Sequence, residues 1–282
     1  MLPDTNMYSR ISPLIAFLLL FFFMGFQSTN TTTNDTVSNT IQPGQSLTTS
    51  ETIESANGIF ELGFFSPGNS TKYYLRIWYK KVSNQTVVWV ANREYGFIDS
   101  SAVLEINQVG DLVISGGRVN YPMTNTSAGN GTYAMLLNTG HLILTNRVLE
   151  ILWQSFAYPT DTLLSRMTLG RYGWSLNSWK SKEDPAPGNF SQELEYWNPL
   201  TLMEGSRVYW ASSIDSFVVL SYDSSLGYVT WPINNIYQTQ ISRIVLDEYG
   251  KLKLQSWSED EQKWNSSGCG DYVACGKFQH MQ

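Results

Sequence analysis

The sequence predicts an all-β protein, and three observations predict it. Trp, Tyr and Phe make up 14% of the 282 residues while charged residues make up only 15%; aromatic side chains fill half-buried pleated surfaces, and so few charges leave little for solvent-facing helix flanks. Apolar residues recur at period two beside polar turns, as in Val87, Trp89 and Ala91, which share one face of a strand. A glycine-centred pattern occurs three times: Leu104-x-Ile106-x-x-x-Gly110-x-Leu112-x-Ile114, then Ala134-x-Leu136-x-x-x-Gly140-x-Leu142-x-Leu144, then Ile244-x-Leu246-x-x-x-Gly250-x-Leu252-x-Leu254. Each copy reads as a β-hairpin with one buried face, its glycine supplying a positive backbone dihedral at the turn. A hairpin this small cannot bury its apolar face alone, so the copies must pack together, which predicts threefold-like packing of short sheets and a related second unit.

Taken in order, the chain opens on a segment that stands apart from the fold. Arg10 precedes an apolar run from Leu14 to Phe26, followed by Gln27, Ser28 and Thr29, the layout of a secretory signal peptide. That run falls short of the roughly 20 residues a membrane span requires. Residues 1–28 are therefore expected to be a signal peptide cleaved near Ser28, with an uncleaved signal anchor as the alternative, and no later stretch is apolar enough to span. Thr29 to Thr40 is rich in Thr and Asn and reads as a disordered or glycosylated lead-in.

Structure is expected from about Val37–Ile41 onward. Pro43 and Gly44 mark a turn, and Leu47 to Ile53 reads as a short strand. The block from Ile77 to Arg93 carries Trp78 and Trp89 in two β-rich runs joined by a polar turn, and is expected to sit at the centre of the first domain, residues 41–155. Ser155 to Met167 reads as a connector, with Pro159 in a turn and Asp161 able to cap backbone amides. Beyond it Trp174, Trp179, Trp197, Trp210 and Trp231 mark a second all-β domain with longer loops, residues 156–267; residues 268–282 start a unit the sequence does not finish.

Secretion agrees with the sequons. Asn-x-Ser/Thr occurs at Asn30, Asn34, Asn69, Asn84, Asn125, Asn130, Asn189 and Asn265, each in a polar stretch, so these are the candidate N-glycosylation sites. The net charge of −6, without a Lys/Arg cluster, disfavours nucleic acid as a partner. Neither His141 nor His280 lies near a nucleophile motif, no metal or cofactor motif is present, and no Gly-rich phosphate loop or kinase residue set occurs, so no enzyme activity is expected. The acid pairs Glu183 with Asp184 and Glu193 with Glu195 could formally serve a glycosidase, but solvated charges explain them better. His141 is expected to be an exposed polar residue beside its turn.

The order of blocks is as distinctive as the blocks themselves. FELGFFSPGN (Phe60–Asn69), IWYKKVSNQTVVWVANR (Ile77–Arg93) and LWQSFAYPTDTLL (Leu152–Leu164) together resemble the bulb-type lectin domain of plant S-domain receptor-like kinases and S-locus glycoproteins. SWKSKEDPAPGNF (Ser178–Phe190), ISRIVLDEYGKL (Ile241–Leu252) and the stretch from Cys269 to Gly276 extend the resemblance into the S-locus glycoprotein region and the start of an EGF-like module. The resemblance implies a β-prism of three four-stranded sheets followed by a second, lectin-like β domain, with Trp78, Trp89 and Trp153 as candidate core aromatics. It implies disulfide roles for Cys269 and Cys275, whose family partners lie further on; here they would be unpaired unless they bridge one another or another chain. A truncated product or a secreted ectodomain form is the expectation.

In mannose-binding members each sheet carries Gln-x-Asp-x-Asn-x-Val-x-Tyr. The three copies here read Asn107, Val109, Asp111, Val113, Ser115; Leu137, Thr139, His141, Ile143, Thr145; and Asp247, Tyr249, Lys251, Lys253, Gln255. Asn107, Asp111 and Val113 are the candidate, degenerate carbohydrate-binding residues. Two functions follow from the resemblance: a secreted or cell-surface recognition ectodomain for a peptide or protein ligand, and a related receptor ectodomain, in pollen or defence perception; or a working mannose lectin. Loops at Tyr95–Ser101, Gly116–Gly131 and Trp197–Ser213 are the expected contact surfaces in the first case. The expected location is extracellular, with family members at the plasma membrane.

Overall fold

The computed structural model describes residues 38–83, 85–129, 131–170, 175–194, 199–213, 221–223, 228–230 and 241–268. The expected signal peptide, Asn30, Asn34, Asn84, Asn130, His280 and both cysteines lie outside these residues. Strands β1 (Thr40–Ile41), β2 (Ser46–Thr48), β3 (Thr52–Glu54), β4 (Phe60–Phe65), β5 (Tyr74–Tyr79), β6 (Val87–Val90), β7 (Val103–Ile106), β8 (Leu112–Gly116), β9 (Val119–Pro122), β10 (Tyr133–Leu136), β11 (Leu142–Thr145) and β12 (Ile151–Gln154) form three four-stranded sheets. Their orders are β3-β4-β5-β6, β2-β7-β8-β9 and β1-β10-β11-β12, and all neighbours are antiparallel. This is the β-prism that the resemblance implies.

The run Leu47–Ile53, expected as one strand, is two strands in different sheets. Thr48, Ser50 and Glu51 explain the break: the Glu51 carboxylate accepts from the Thr48 amide at 3.0 Å and its hydroxyl at 2.7 Å, closing a turn between β2 and β3.

The glycine repeats fold identically. In each, the first turn residue donates its N–H to the carbonyl four residues on, and the glycine N–H donates back: Asn107 to Asp111 at 2.9 Å and Gly110 to Asn107 at 3.0 Å, with the same pair of bonds at Leu137/His141/Gly140 and Asp247/Lys251/Gly250. The glycines have φ of +87°, +79° and +78°. Leu104, Ile106, Leu112 and Ile114 of one copy and Ala134, Leu136, Leu142 and Leu144 of the next then face a common buried core. A side chain at Gly140 would also meet Phe60, whose ring edge stands 2.7 Å from the position of an added Cβ. Gly140→Ala is expected to destabilise the protein by about 2 kcal/mol through the left-handed backbone and the ring displacement together, read as a lower denaturant midpoint.

The threefold relation also fixes the core aromatics. Trp89 opposes Ile77, Tyr121 opposes Ile114 and Trp153 opposes Leu144, each on the last strand of its sheet. Tyr121, not Trp78, is thus the second sheet's counterpart, while Trp78, 3% exposed, is buried as expected of a core aromatic. Trp89 and Trp153 meet edge to face at 6.1 Å, and the Tyr121 hydroxyl donates to the Ala91 carbonyl at 3.3 Å. Trp78 instead packs beside the Arg76 guanidinium, 4.3 Å from its ring centroid, with Phe65 at 4.5 Å on the same cation.

The chain then repeats the plan. After the 3₁₀ turn Ser155–Ala157 come β13 (Thr162–Leu163), β14 (Thr168–Gly170), β15 (Leu176–Ser181), β16 (Asp184–Leu194), β17 (Pro199–Glu204), β18 (Arg207–Ser213), β19 (Ser221–Asp223), β20 (Tyr228–Thr230), β21 (Ser242–Leu246), β22 (Leu252–Ser258) and β23 (Lys263–Gly268). The sheet β13-β21-β22-β23 places an early strand beside three late ones, as β1 stands beside β10–β12, and β15-β16-β17-β18 mirrors β3–β6. Sheet β14-β20-β19 is the third. The expected loop Trp197–Ser213 is largely the hairpin of β17 and β18.

Both halves share one buried cluster running from Ile41 to Trp257. The Tyr79 hydroxyl donates to the Ser242 carbonyl at 2.7 Å, and the Trp264 indole N–H to the Thr86 hydroxyl at 3.0 Å. Arg93, 9% exposed, donates from Nε to the Pro185 carbonyl and from Nη2 to the Ser178 carbonyl, both at 2.7 Å. The Asp161 carboxylate accepts from its own backbone N–H and, through Oδ1, from the hydroxyls of Thr160 (3.2 Å) and Thr162 (3.3 Å), and it lies buried in the fields of Arg93 and Arg243.

Candidate glycan-binding site

In each repeat hairpin the motif residues follow from strand alternation. One face is buried as above; the other carries Val103, Glu105, Val113 and Ser115 in the first copy, and Tyr133, Met135, Ile143 and Thr145 in the second. In the third it carries Arg243, Val245, Lys253 and Gln255, with the same cross-strand register in all three. The turn adds Asn107, Val109 and Asp111 to the first.

The structure brings Asn107, Asp111 and Val113 together but turns their polar groups inward. Asn107 Oδ1 accepts from the amides of Val109 at 3.0 Å and Asp111 at 2.9 Å, bracing its own turn. Asp111 is 5% exposed, and four donors converge on its Oδ1: the Thr124 hydroxyl (2.9 Å), the Thr126 amide (2.5 Å) and hydroxyl (2.9 Å), and the Ser127 amide (3.3 Å). Burial alone would raise this carboxyl's pKa, but the hydrogen bonds from Thr126, Thr124 and Ser127 outweigh it and hold the pKa below the ordinary value. Val113 is buried between Glu105 and Pro122, and Glu105 accepts from the Ser115 hydroxyl at 3.1 Å. Val109, where the mannose motif has an acid, is 53% exposed and offers no polar group.

The closing piece is a strap, residues 123–132, inside the stretch expected as the contact loop Gly116–Gly131. Besides Asp111, it is tied by the Thr124 hydroxyl accepting from the Leu112 amide at 2.9 Å, the Gly129 amide donating to the Val109 carbonyl at 2.9 Å, and the Thr132 hydroxyl donating to the Gly110 carbonyl at 3.1 Å. The first part of the same stretch is β9. Its sequon residue Asn125 is exposed, as are Asn69, Asn189 and Asn265.

In the second copy Leu137 has no acceptor to brace the turn, and His141 replaces the carboxylate. His141 is not an exposed polar residue, as its place beside a turn suggests. It stacks on Phe156 with centroids 4.1 Å apart and planes 9° apart, and its Nε2 is buried without a hydrogen-bond partner. Burial lowers its pKa from 6.5 to about 4, against a smaller opposing effect of a hydrogen bond with Gln154. The folded state thus resists a proton that the unfolded chain accepts below pH 6.5, so stability falls as pH drops through this window and levels off below about 4. At pH 5 the loss is expected to be about 2 kcal/mol relative to neutral pH. A His141→Gln variant should flatten that part of a pH–stability curve measured by urea unfolding.

In the third copy Asp247 Oδ1 accepts from the amides of Tyr249 (3.0 Å) and Lys251 (2.8 Å), as Asn107 does in the first, while its Oδ2 pairs with Lys253 Nζ at 2.6 Å. Asn107, Asp111 and Asp247 therefore spend their side-chain oxygens within the protein, whereas Tyr249 and Lys251 of the third copy are exposed. Arg93 and Arg243, which converge on Asp161, escaped the reading of motifs; the signal for Arg243 was a cation at an alternating position of the otherwise apolar strand Ser242–Leu246.

Several known proteins are similar to this chain. The family described as D-mannose binding lectin matches residues 86–180. A G-type lectin S-receptor-like serine/threonine-protein kinase of Arabidopsis thaliana is 34% identical over 94% of this chain and 36% of its own length. The S-locus-specific glycoprotein S6 of Brassica oleracea is 30% identical over 98% of this chain and 70% of its own. A monomeric monocot mannose-binding lectin from Gastrodia elata is a solved structure 21% identical, covering 42% of this chain and 96% of its own, with a TM-score of 0.33. The chain spans about a third of the length of the receptor kinases it matches. Among the described residues no helix is long and apolar enough to cross a membrane. A lectin-type recognition module, built in three sheets and followed by a second set of sheets on the same plan, thus places the chain in the family of S-locus glycoproteins and G-type lectin S-receptor-like kinases.

Proposed function

We propose that this chain is an extracellular, non-catalytic recognition ectodomain whose ligand is a peptide or protein surface, with a related receptor ectodomain as a further partner, in pollen or defence perception. The observation that carries this reading is the first motif copy, where Asp111 gives one carboxylate oxygen to four internal donors beneath the 123–132 strap. A mannose hydroxyl would have to displace these bonds, and an unpaired buried donor left behind costs about 1 to 3 kcal/mol, much of what a shallow monosaccharide site can supply. The exposed sequon residues Asn69, Asn125, Asn189 and Asn265 support the secreted, glycosylated reading.

The test is a glycan array probed with the secreted, folded glycoprotein. No binding that free methyl α-mannoside competes away is the expected result. Competable binding to mannose-type glycans would replace this reading with that of a working lectin.

A further inference from the structure

Between the two halves lies a cleft of about 290 Å³ whose floor is the outer face of β21 and β22. Three acids and three bases line it, so it carries no excess of either sign. Most of these groups are engaged inside the protein. Lys253 pairs with Asp247 at 2.6 Å, and Arg243 donates to Gln255 Oε1 at 2.9 Å and to the Val87 carbonyl at 3.0 Å. Asp161 accepts from its own backbone N–H and from the hydroxyls of Thr160 and Thr162.

Two atoms of the lining side chains differ from the rest. Glu248 Oε1 and Trp179 Nε1 are buried, and among the described residues neither has a hydrogen-bond partner. Lys182 Nζ stands 3.9 Å from Glu248 Oε1, too far for a hydrogen bond, and the Lys182 side chain is 79% exposed. The Trp179 ring packs against Phe65 of β4, with centroids 6.3 Å apart, which holds the indole in place. A buried acceptor and a buried donor left unpaired are costly, and each calls for a group that satisfies it.

That group must donate to a carboxylate and accept from an indole. A cation meets only the first demand and an anion only the second, and either would unbalance the charges of the cleft. A hydroxyl meets both from one oxygen. Its stem must suit Trp179, Val87 and Val245, which give the cleft its apolar wall. A phenol does so with a flat ring that ends in the polar tip. A serine or threonine hydroxyl would leave most of the volume unfilled, and a sugar would turn further hydroxyls toward the valines without partners.

We infer that this cleft is a binding site for a neutral phenol, the side chain of a tyrosine in a peptide ligand. Its hydroxyl would donate to Glu248 and accept from Trp179, with the exposed Lys182 side chain displaced to admit the ring. A phenylalanine in the same place would leave both atoms unpaired. The inference rests on the reading of the chain as a receptor for protein ligands and names the contact that such a ligand would make.

The experiment titrates the secreted protein with N-acetyl-tyrosine methylamide by saturation-transfer NMR, with the phenylalanine and threonine analogues and methyl α-mannoside as controls. The tyrosine probe is expected to bind about tenfold more tightly than the phenylalanine probe, the effect of one charge-assisted hydrogen bond. Trp179→Phe, which keeps a ring and removes the N–H, and Glu248→Ala, each confirmed as folded by circular dichroism, should remove that difference. If either variant does not fold, hydrogen exchange of the wild-type protein decides instead, with protection across residues 242–248 expected from the tyrosine probe and not from phenylalanine. Equal affinities for tyrosine and phenylalanine, a difference that survives in both variants, tighter binding of threonine or the mannoside, or unchanged exchange across 242–248 would overturn the inference. The glycan array fails or succeeds independently: competable mannose binding would remove the protein-ligand reading, whereas a silent array with an inert tyrosine probe removes only this cleft.

Discussion

Replacing Arg93 with alanine is expected to be the most damaging single change, lowering stability by roughly 3 to 5 kcal/mol. The guanidinium is buried and donates to two carbonyls from the other half of the molecule, Pro185 on β16 and Ser178 on β15. Burial lowers its pKa, while the nearby charges of Asp161 and Glu94 act in the opposite direction. Removing it leaves two buried carbonyls unpaired and takes one of the two cations from around Asp161, whose own pKa is already raised by burial. For a protein of this size the loss amounts to a fall in Tm on the order of 10 °C, measurable by scanning calorimetry. Arg93→Lys keeps the charge but cannot reach both carbonyls with a planar fork, so it should recover part of the loss. A Tm within a degree or so of wild type for Arg93→Ala would mean that the halves are held by their shared apolar cluster alone.

Asp111→Ala should cost about 2 to 3 kcal/mol and, more tellingly, free the strap. The Thr124 hydroxyl, the Thr126 amide and hydroxyl and the Ser127 amide all lose their common acceptor. Limited proteolysis should then cut within residues 123–132, where the wild-type protein resists. The pH dependence has a definite sign. The folded pKa of Asp111 lies below its ordinary value, so its stabilisation is fully present above the unfolded pKa and is lost as pH falls through the folded one. The alanine variant should lack that acid-side decline. Resistance to protease equal to wild type would show that the backbone bond from Gly129 and the hydroxyl bond from Thr132 hold the strap without the carboxylate.

Much of the fold was legible because its signals are local. Period-two alternation around Gly110, Gly140 and Gly250 specifies both the hairpin and its buried face, and three copies at one internal spacing specify that the sheets pack on one another. What the sequence hid depends on register or on distant partners. Tyr121 replaces a tryptophan at a position defined only by its pairing with Ile114, so counting tryptophans pointed to Trp78 instead. The apparent strand from Leu47 to Ile53 is divided by a turn whose Glu51 side chain bonds back to Thr48; β propensity does not register such a bond.

The site was legible in outline and not in its chemistry. The motif positions could be read from spacing, but whether Asn107 and Asp111 face a sugar or their own backbone depends on the Thr- and Asn-rich strap, which in sequence resembles any polar loop. His141 shows the same limit: a histidine beside a turn reads as solvated, yet Phe156, fifteen residues on, supplies the ring that covers it. Asp161 feels the charges of Arg93, from the first half, and of Arg243, more than eighty residues on, only through the tertiary fold.

The closed strap is the claim on which the functional reading depends, and amide hydrogen exchange tests it most directly. In the ligand-free protein the amides of Thr126 and Ser127, bonded to Asp111 Oδ1, are predicted to exchange as slowly as those of the neighbouring strand β8. Exchange of both at the unprotected rate would contradict the account, because a strap that opens freely leaves Asn107 and Asp111 available to a sugar.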